Sequence, residues 1–281
     1  MPHKRTAPIT CKYSKSEQLY LILLCKPERK MQHTITTSAD GSSTLKLTQF
    51  GEAYHSTNGA YTEATRIYIQ CGLEHLFRNC GAPQINIFDV GFGTGLNCIL
   101  AWAWQQQLRQ KGLPYPRIIY HGIEKYPIPL SEIEQLNYHT IIAQHTELLP
   151  DNLAEIFHFM HNCPWEEDIQ IEPDFILHKS CADIAALGKE YYRQASSKKE
   201  SRCSTDTATA VVFYDTFSPA TQPELWDEGI FRTIAAGCPA GSILVTYCSK
   251  GTVKQALRSA GFTLERLSGP PGKRHILRGT L

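Results

Sequence analysis

Three groups of residues in this 281-residue chain have the types and spacing that chemistry needs. The first is Asp89-Val90-Gly91-Phe92-Gly93-Thr94-Gly95, where glycines alternate with other residues directly after an apolar run. Such a loop lets the backbone turn sharply and approach a ligand closely, and a helix that follows offers unpaired N–H groups. The second is Glu124, 29 residues past Gly95 at the end of another apolar run, placed to accept hydrogen bonds from both hydroxyls of a ribose. The third is Tyr214-Asp215-Thr216-Phe217-Ser218-Pro219, which sets a carboxylate between aromatics. A carboxylate there can hold an amine and take up its proton as the nitrogen attacks an electrophile. Asp183 follows a further strand and is a candidate for an adenine amino group. Each has a plainer reading: Asp183 as the cap of a short helix, Glu124 as a surface acid beside Lys125, Asp215 as a turn former before Ser218-Pro219.

These residues must be held by regular elements. Apolar runs predict strands at Ile85–Val90, Arg117–Ile123, Asp174–His178, Ala210–Tyr214 and Ser242–Tyr247. Between them helices are predicted at Leu96–Leu108, Leu130–Leu149, Ala182–Leu187 and Pro223–Ala236, with another at Thr252–Ser259. Phe262–Leu267 and His275–Arg278 read as two strands around Gly269-Pro270-Pro271-Gly272. Strand–helix alternation forces a mostly parallel sheet covered on both faces. The final two strands, with no helix between them, must pair antiparallel. The expectation is an α/β fold with a seven-stranded, mostly parallel sheet, and ligands of such sheets sit beyond the strands' carboxyl ends. Upstream, Leu45 to Ser56 has β-type residues, Asn58-Gly59 signals a turn, and Thr62 to Phe77 reads as a helix with Ala64, Ile67, Tyr68 and Cys71 on one stripe. Residues 188–209, rich in Lys, Ser and Thr, read as a loop.

Composition narrows the class. Hydrophobic residues make up 42% and charged residues 20%, as in a soluble globular protein. The net charge of +1 hides a basic segment: residues 249–281 hold seven Lys and Arg against Glu265 alone, while residues 31–248 are acidic. That suggests an anion-binding face, or simply a solvated basic end. None of the ten cysteines forms a Cys-x-x-Cys pair or a zinc-like cluster, so reduced thiols in a cytoplasmic protein, and no metal, are expected. The apolar run Leu19–Cys25 is too short to span a bilayer, so no membrane is expected. Residues 1–44 read as an N-terminal extension, its first 30 residues an upstream addition or misplaced start, with one domain over 45–281.

Together the motifs resemble the tRNA 5-methylaminomethyl-2-thiouridine methyltransferase family. Gly91–Asn97 is similar to that family's Gly-Phe-Gly-Thr-Gly-Leu-Asn loop. The segments Tyr54-His55-Ser56-x-x-Gly59-Ala60-x-x-Glu63, Asp215–Pro219 with Pro223-Glu224-Leu225-Trp226, Thr246–Gly251 and Gly269–Arg274 resemble its other motifs, in order, over about residues 45–281. The resemblance implies a class I, Rossmann-like methyltransferase that uses S-adenosyl-L-methionine. Its implied reaction is methylation of the exocyclic amine of 5-aminomethyl-(2-thio)uridine at the tRNA wobble position. By position, Gly91, Phe92, Gly93, Thr94, Gly95 and Asn97 would hold the cofactor, with Glu124 on its ribose and Asp183 near its adenine. Tyr54, Ser56 and Glu63 would line the cofactor and uridine pocket, and Asp215 would face the amine. Lys250, Lys273 and Arg274 would meet phosphates of the anticodon stem-loop, and Tyr214, Phe217 and Tyr247 are candidate stacking platforms, although core packing explains an aromatic equally well. Many relatives carry a flavin-dependent domain that makes the aminomethyl substrate. This chain reads as a stand-alone methyltransferase supplied by upstream tRNA-modifying enzymes. A methyltransferase acting on another amine is the nearest rival. An NAD(P)-dependent oxidoreductase lacks its Gly-x-Gly-x-x-Gly spacing and a Tyr-x-x-x-Lys pair, and a vestigial RNA-binding module would have lost Asp215 or Glu124.

Overall fold

A computed structural model describes residues 32–48, 51–197 and 209–281. The first 30 residues and the 198–208 part of the expected loop lie outside the described residues. Strands β1 (His33–Thr37) and β2 (Ser43–Leu47) pair antiparallel, so the boundary expected between residues 44 and 45 falls inside β2. The turn joining them caps the next helix. Ala60 and Tyr61 donate their N–H groups to Ser38 Oγ and Ser42 Oγ, both at 3.1 Å, and Thr62 donates to Asp40 Oδ2 at 2.8 Å. These are the donors that a helix start leaves unpaired, and its own preceding residue, Gly59, has no side chain to satisfy them. Helix α1 covers residues 60–80 and is π-wound over Thr65–Glu74. The predicted stripe Ala64, Ile67, Tyr68 and Cys71 is buried.

The main sheet contains β3 (Gln84–Val90), β4 (Arg117–Glu124), β5 (Asp168–Glu172), β6 (Phe175–Cys181), β7 (Thr209–Tyr214), β8 (Ile243–Thr246), β9 (Thr263–Ser268) and β10 (His275–Thr280), in the order β5-β6-β4-β3-β7-β8-β10-β9. Strands β6, β4, β3, β7 and β8 are parallel, whereas β10 pairs antiparallel with both β8 and β9. The α/β class and the closing antiparallel hairpin are as expected, but the strand count is corrected from seven to eight. The added strand, β5, pairs antiparallel with β6 at the sheet edge. Its sequence Asp-Ile-Gln-Ile-Glu carries charges at both ends, which blunts an edge and hides a strand from an apolar-run reading.

Parallel strands buried on both faces carry apolar residues at successive positions, and here those residues divide between two cores. Ile85, Ile87, Tyr120, Phe213 and Val245 face α1 and α2 (Leu96–Gln110). Phe88, Val90, Tyr214 and Leu244 face the opposite core. The predicted helix 130–149 divides into α3 (Leu130–Ile133) and α4 (Tyr138–Gln144), and α5 (Pro150–Asn162) follows. Pro150 forces Leu149 into extended geometry (ψ 135°) and occupies the first helical position itself. Residues 189–197, expected within a loop, form α6 (Lys189–Ser197), anchored by Tyr192 against Phe88 at 5.1 Å between ring centroids. The predicted helix 182–187 is a single 3-10 turn at Ile184–Ala186. Pro223–Ala236 is a 3-10 turn, Pro223–Trp226, followed by α7 (Glu228–Gly237), because Asp227 is extended and accepts from the Gly229 N–H at 2.7 Å. Helix α8 (Gly251–Ser259) leads into the hairpin. Among the described residues no helix is long and apolar enough to cross a membrane, and no group of His, Cys, Asp and Glu could hold a metal. Among the described residues Cys71, Cys80, Cys98, Cys163, Cys238 and Cys248 are free thiols.

Candidate active site

Strand order reverses between β3 and β7, and the loops that leave their carboxyl ends form the crevice where open α/β sheets bind ligands. The glycine loop follows β3. Gly91 has φ 94°, and a Cβ there would lie 2.5 Å from the Asp215 carbonyl oxygen, so only glycine lets the two strand ends meet. Gly95 has φ 72°, and a Cβ would lie 2.5 Å from His161 Nε2. The Gly93 N–H donates to Glu124 Oε2 at 3.0 Å, and the Tyr126 N–H donates to Glu124 Oε1 at 2.8 Å. Glu124 therefore links the β4 end to the loop, and burial pushes its pKa up against those hydrogen bonds. A bare-backbone cradle with a carboxylate at one end suits a nucleoside-bearing ligand.

Asp215 is half-buried directly after β7. Asn97, in the first turn of α2, donates its Nδ2 to Asp215 Oδ2 at 2.9 Å and lies 3.4 Å from Asp89 Oδ1. The Tyr68 hydroxyl lies next to the same carboxylate and lowers its pKa, although it makes no well-aligned hydrogen bond. Desolvation dominates these effects and, helped by the negative charge of Glu63, pushes Asp215 up to about 6. A carboxylate tuned near neutral pH is suited to proton transfer.

Aromatic rings wall the crevice. Tyr54 lies edge-on to Phe217 at 5.0 Å between centroids and close to Gly93. Tyr247 donates its hydroxyl to the Thr216 carbonyl at 2.9 Å. Lys273 forms an ion pair with buried Glu63, and its Nζ sits 5.0 Å from the Tyr247 ring centroid.

The profile of an S-adenosyl-L-methionine-dependent methyltransferase family matches residues 197–281. A tRNA 5-methylaminomethyl-2-thiouridine biosynthesis bifunctional protein MnmC from Delftia acidovorans is 28% identical over 82% of this chain, and one from Burkholderia multivorans is 28% identical over 90%. The chain spans only 32–35% of the length of these two relatives. The crystal structure of MnmC2 from Aquifex aeolicus superposes on 96% of this chain and 79% of its own length, with a TM-score of 0.63 at 24% identity. The chain is an S-adenosyl-L-methionine-dependent methyltransferase. The resemblance drawn from the motifs is borne out over the methyltransferase part of these relatives.

In this methyltransferase most of the residues singled out from sequence converge. Gly91, Gly93, Asn97, Glu124, Asp215, Tyr54 and Phe217 are joined by the contacts above, and Glu63, Lys273 and Tyr247 form a second cluster. Buried Thr94 places its hydroxyl 2.7 Å from His55 Nε2 and accepts from the Tyr138 hydroxyl at 3.0 Å; burial pushes His55 down to about 4, so a neutral ring is available to accept from Thr94. Phe92 is buried beside His161 and Trp165. Asp183 accepts from the Ala185 N–H at 2.9 Å, capping the 3-10 turn, and from Lys125 Nζ at 2.7 Å. Ser56 accepts from the Asn58 N–H at 3.2 Å within its own turn. Lys250 and Arg274 are exposed. Tyr214 is not a platform: it is fully buried between Trp226 and Phe231.

Sequence reasoning missed Glu52, whose Oε1 accepts from the Ser218 N–H at 3.1 Å and whose Oε2 accepts from Thr221, fixing the loop after Asp215. It also gave no site role to His55, although that residue sits inside a recognised motif. Tyr68 was visible only as part of an apolar stripe, because a tyrosine at helical spacing reads as packing.

Proposed function

We propose that the methyltransferase methylates the exocyclic amine of 5-aminomethyl-(2-thio)uridine at the wobble position of tRNA, giving 5-methylaminomethyl-(2-thio)uridine. The observation that carries this reading is Asp215, held by Asn97 beside the glycine loop, tuned to about 6 and flanked by Tyr54, Phe217 and Tyr247. An amine nucleophile needs a base of this kind, and a splayed-out anticodon base needs aromatic faces to stack on. The relatives' association with 5-methylaminomethyl-2-thiouridine supports the same substrate.

Bound S-adenosylmethionine supplies an electrophilic methyl group. The loop Gly91–Gly95 would receive its methionine part against bare backbone, Glu124 would accept from the ribose hydroxyls, and Asp183 would lie near the adenine. Tyr54, with Ser56 and Glu63 on the same upstream segment, lines the pocket. Asp215, held through Oδ2 by Asn97, orients the substrate nitrogen and receives its proton. In-line alignment supplies most of the rate gain. Phe217 and Tyr247 flank the uracil ring. Exposed Lys250 and Arg274 meet anticodon phosphates, while Lys273 faces inward to Glu63. Upstream tRNA-modifying enzymes supply the aminomethyl group.

The test is transfer of labelled methyl from S-adenosylmethionine to tRNA from cells lacking this protein, followed by nucleoside analysis. Label in 5-methylaminomethyl-uridine is the expected outcome. A protein that binds the cofactor but labels no tRNA would move the reading to another amine substrate.

A further inference from the structure

The aromatic ring that stands on the glycine loop is held from a stretch of chain that reads as an extension. His33 opens β1, and its imidazole is enclosed, with 3% of the side chain exposed. Its Nε2 lies 3.3 Å from the Tyr54 hydroxyl, and the two rings meet edge-on at 5.5 Å between centroids. On the other side of the imidazole, Nδ1 lies 2.5 Å from Oε2 of Glu132 on α3. The Tyr54 backbone is fixed separately, its N–H donating to the Leu45 carbonyl at 2.8 Å. The Tyr54 ring stands against Gly93, where a Cβ would lie 3.1 Å from Tyr54 Cδ1, and against Phe217. We infer that His33 is a positioning residue for the cofactor: it anchors the Tyr54 hydroxyl so that the ring stays on the glycine loop, and Glu132 orients His33 in turn.

The physical case is one of tautomer and reach. A carboxylate beside Nδ1 favours the ring proton on that nitrogen and leaves Nε2 to accept from the Tyr54 O–H. A tyrosine fixed only at its backbone can still turn about its side-chain bonds, and a hydrogen bond at the far tip removes that freedom. The anchored ring meets Gly93, whose own N–H is committed to Glu124. The wall of the cofactor loop is then set before a ligand arrives, and less ordering remains to be done on binding. Hairpin β1–β2 and helix α3 thereby belong to the site without contributing an atom to the chemistry.

The inference goes beyond the proposed reaction and rests only on its placing of the cofactor at Gly91–Gly95. Calorimetry measures S-adenosylmethionine affinity in the full-length protein, with melting temperature recorded beside it. His33→Leu and Tyr54→Phe remove the same bond from opposite ends, so each is expected to raise Kd about fivefold, the worth of one hydrogen bond. The double variant should bind no more weakly than either single one. His33→Gln, whose side-chain oxygen reaches the place of Nε2, should stay within about twofold of wild type. Should His33→Leu not fold, His33→Asn replaces it, since its shorter amide keeps Glu132 company but leaves the hydroxyl unbound. A Kd unchanged in either single variant, losses that add, or a His33→Gln variant as weak as His33→Leu would overturn the inference and leave His33 as a structural clamp. A protein that shows the expected shifts yet labels no tRNA would fail the proposed substrate alone.

Discussion

Asp89 and Asp215 reach the same amide, that of Asn97, from neighbouring strands, and they are different instruments. Asp89 sits inside β3 with no exposed surface, and the Tyr120 hydroxyl donates to its Oδ2 at 2.6 Å. Burial pushes its pKa far up. Asp215 sits just beyond the end of β7, opens to the crevice, and rises only to about 6. The distance from strand interior to strand end separates a carboxyl that organises the sheet from one that can exchange a proton with a ligand.

Substitution tests that contrast. Asp215→Asn should reduce methyl transfer by about a hundredfold or more, the range typical of a lost general base, with little change in denaturant midpoint. If the midpoint fell further than in Asp89→Ala, the division would be wrong. Asp89→Ala should instead destabilise the fold by roughly 2–4 kcal/mol in urea titrations, because Tyr120 and Asn97 lose a buried acceptor and a cavity remains.

The same contrast appears against pH. The folded-state pKa of Asp215 is raised, so its contribution to stability is complete below the unfolded value of 3.8 and is lost as pH climbs through about 6. Methyl transfer should rise through that same window, because only the ionised form takes up a proton. Melting temperature and kcat/KM measured together from pH 4 to 8 should diverge, and Asp215→Asn should flatten the corresponding part of both curves.

Two smaller effects sharpen the picture at the crevice rim. Glu124→Gln should weaken binding of the cofactor by about 10–100-fold in calorimetry, the loss expected when a charge-assisted hydrogen bond is removed. Paired Lys250→Ala and Arg274→Ala changes should raise the apparent KM for tRNA a few-fold, an effect that fades as salt rises. A salt-independent loss would argue against phosphate contacts.

What was legible in the sequence follows from where the chemistry lies. Gly91, Glu124 and Asp215 were readable because each stands at the end of an apolar run, and strand ends are where open sheets bind ligands. Contacts between distant segments were not readable. Ser38, Asp40 and Ser42 cap α1 across about twenty residues and look like ordinary turn residues. Lys273 looked like one more charge in a basic segment, since nothing near it in the chain announces Glu63. Strand β5 was hidden by its polar edge character, and α6 by a lysine- and serine-rich composition that concealed Tyr192.

The long spans of these contacts bear on how the enzyme comes to be active. Asn97 and Asp215 are 118 residues apart, Arg278 and the Cys71 carbonyl it bonds are 207 apart, and Lys273 and Glu63 are 210 apart. Closing such spans carries an entropic cost before any contact is gained, and chains dominated by non-local pairings fold slowly. The parallel sheet has to be nearly complete before the base has its partners. A refolding experiment should therefore recover secondary structure well before cofactor affinity, and catalytic competence should return last.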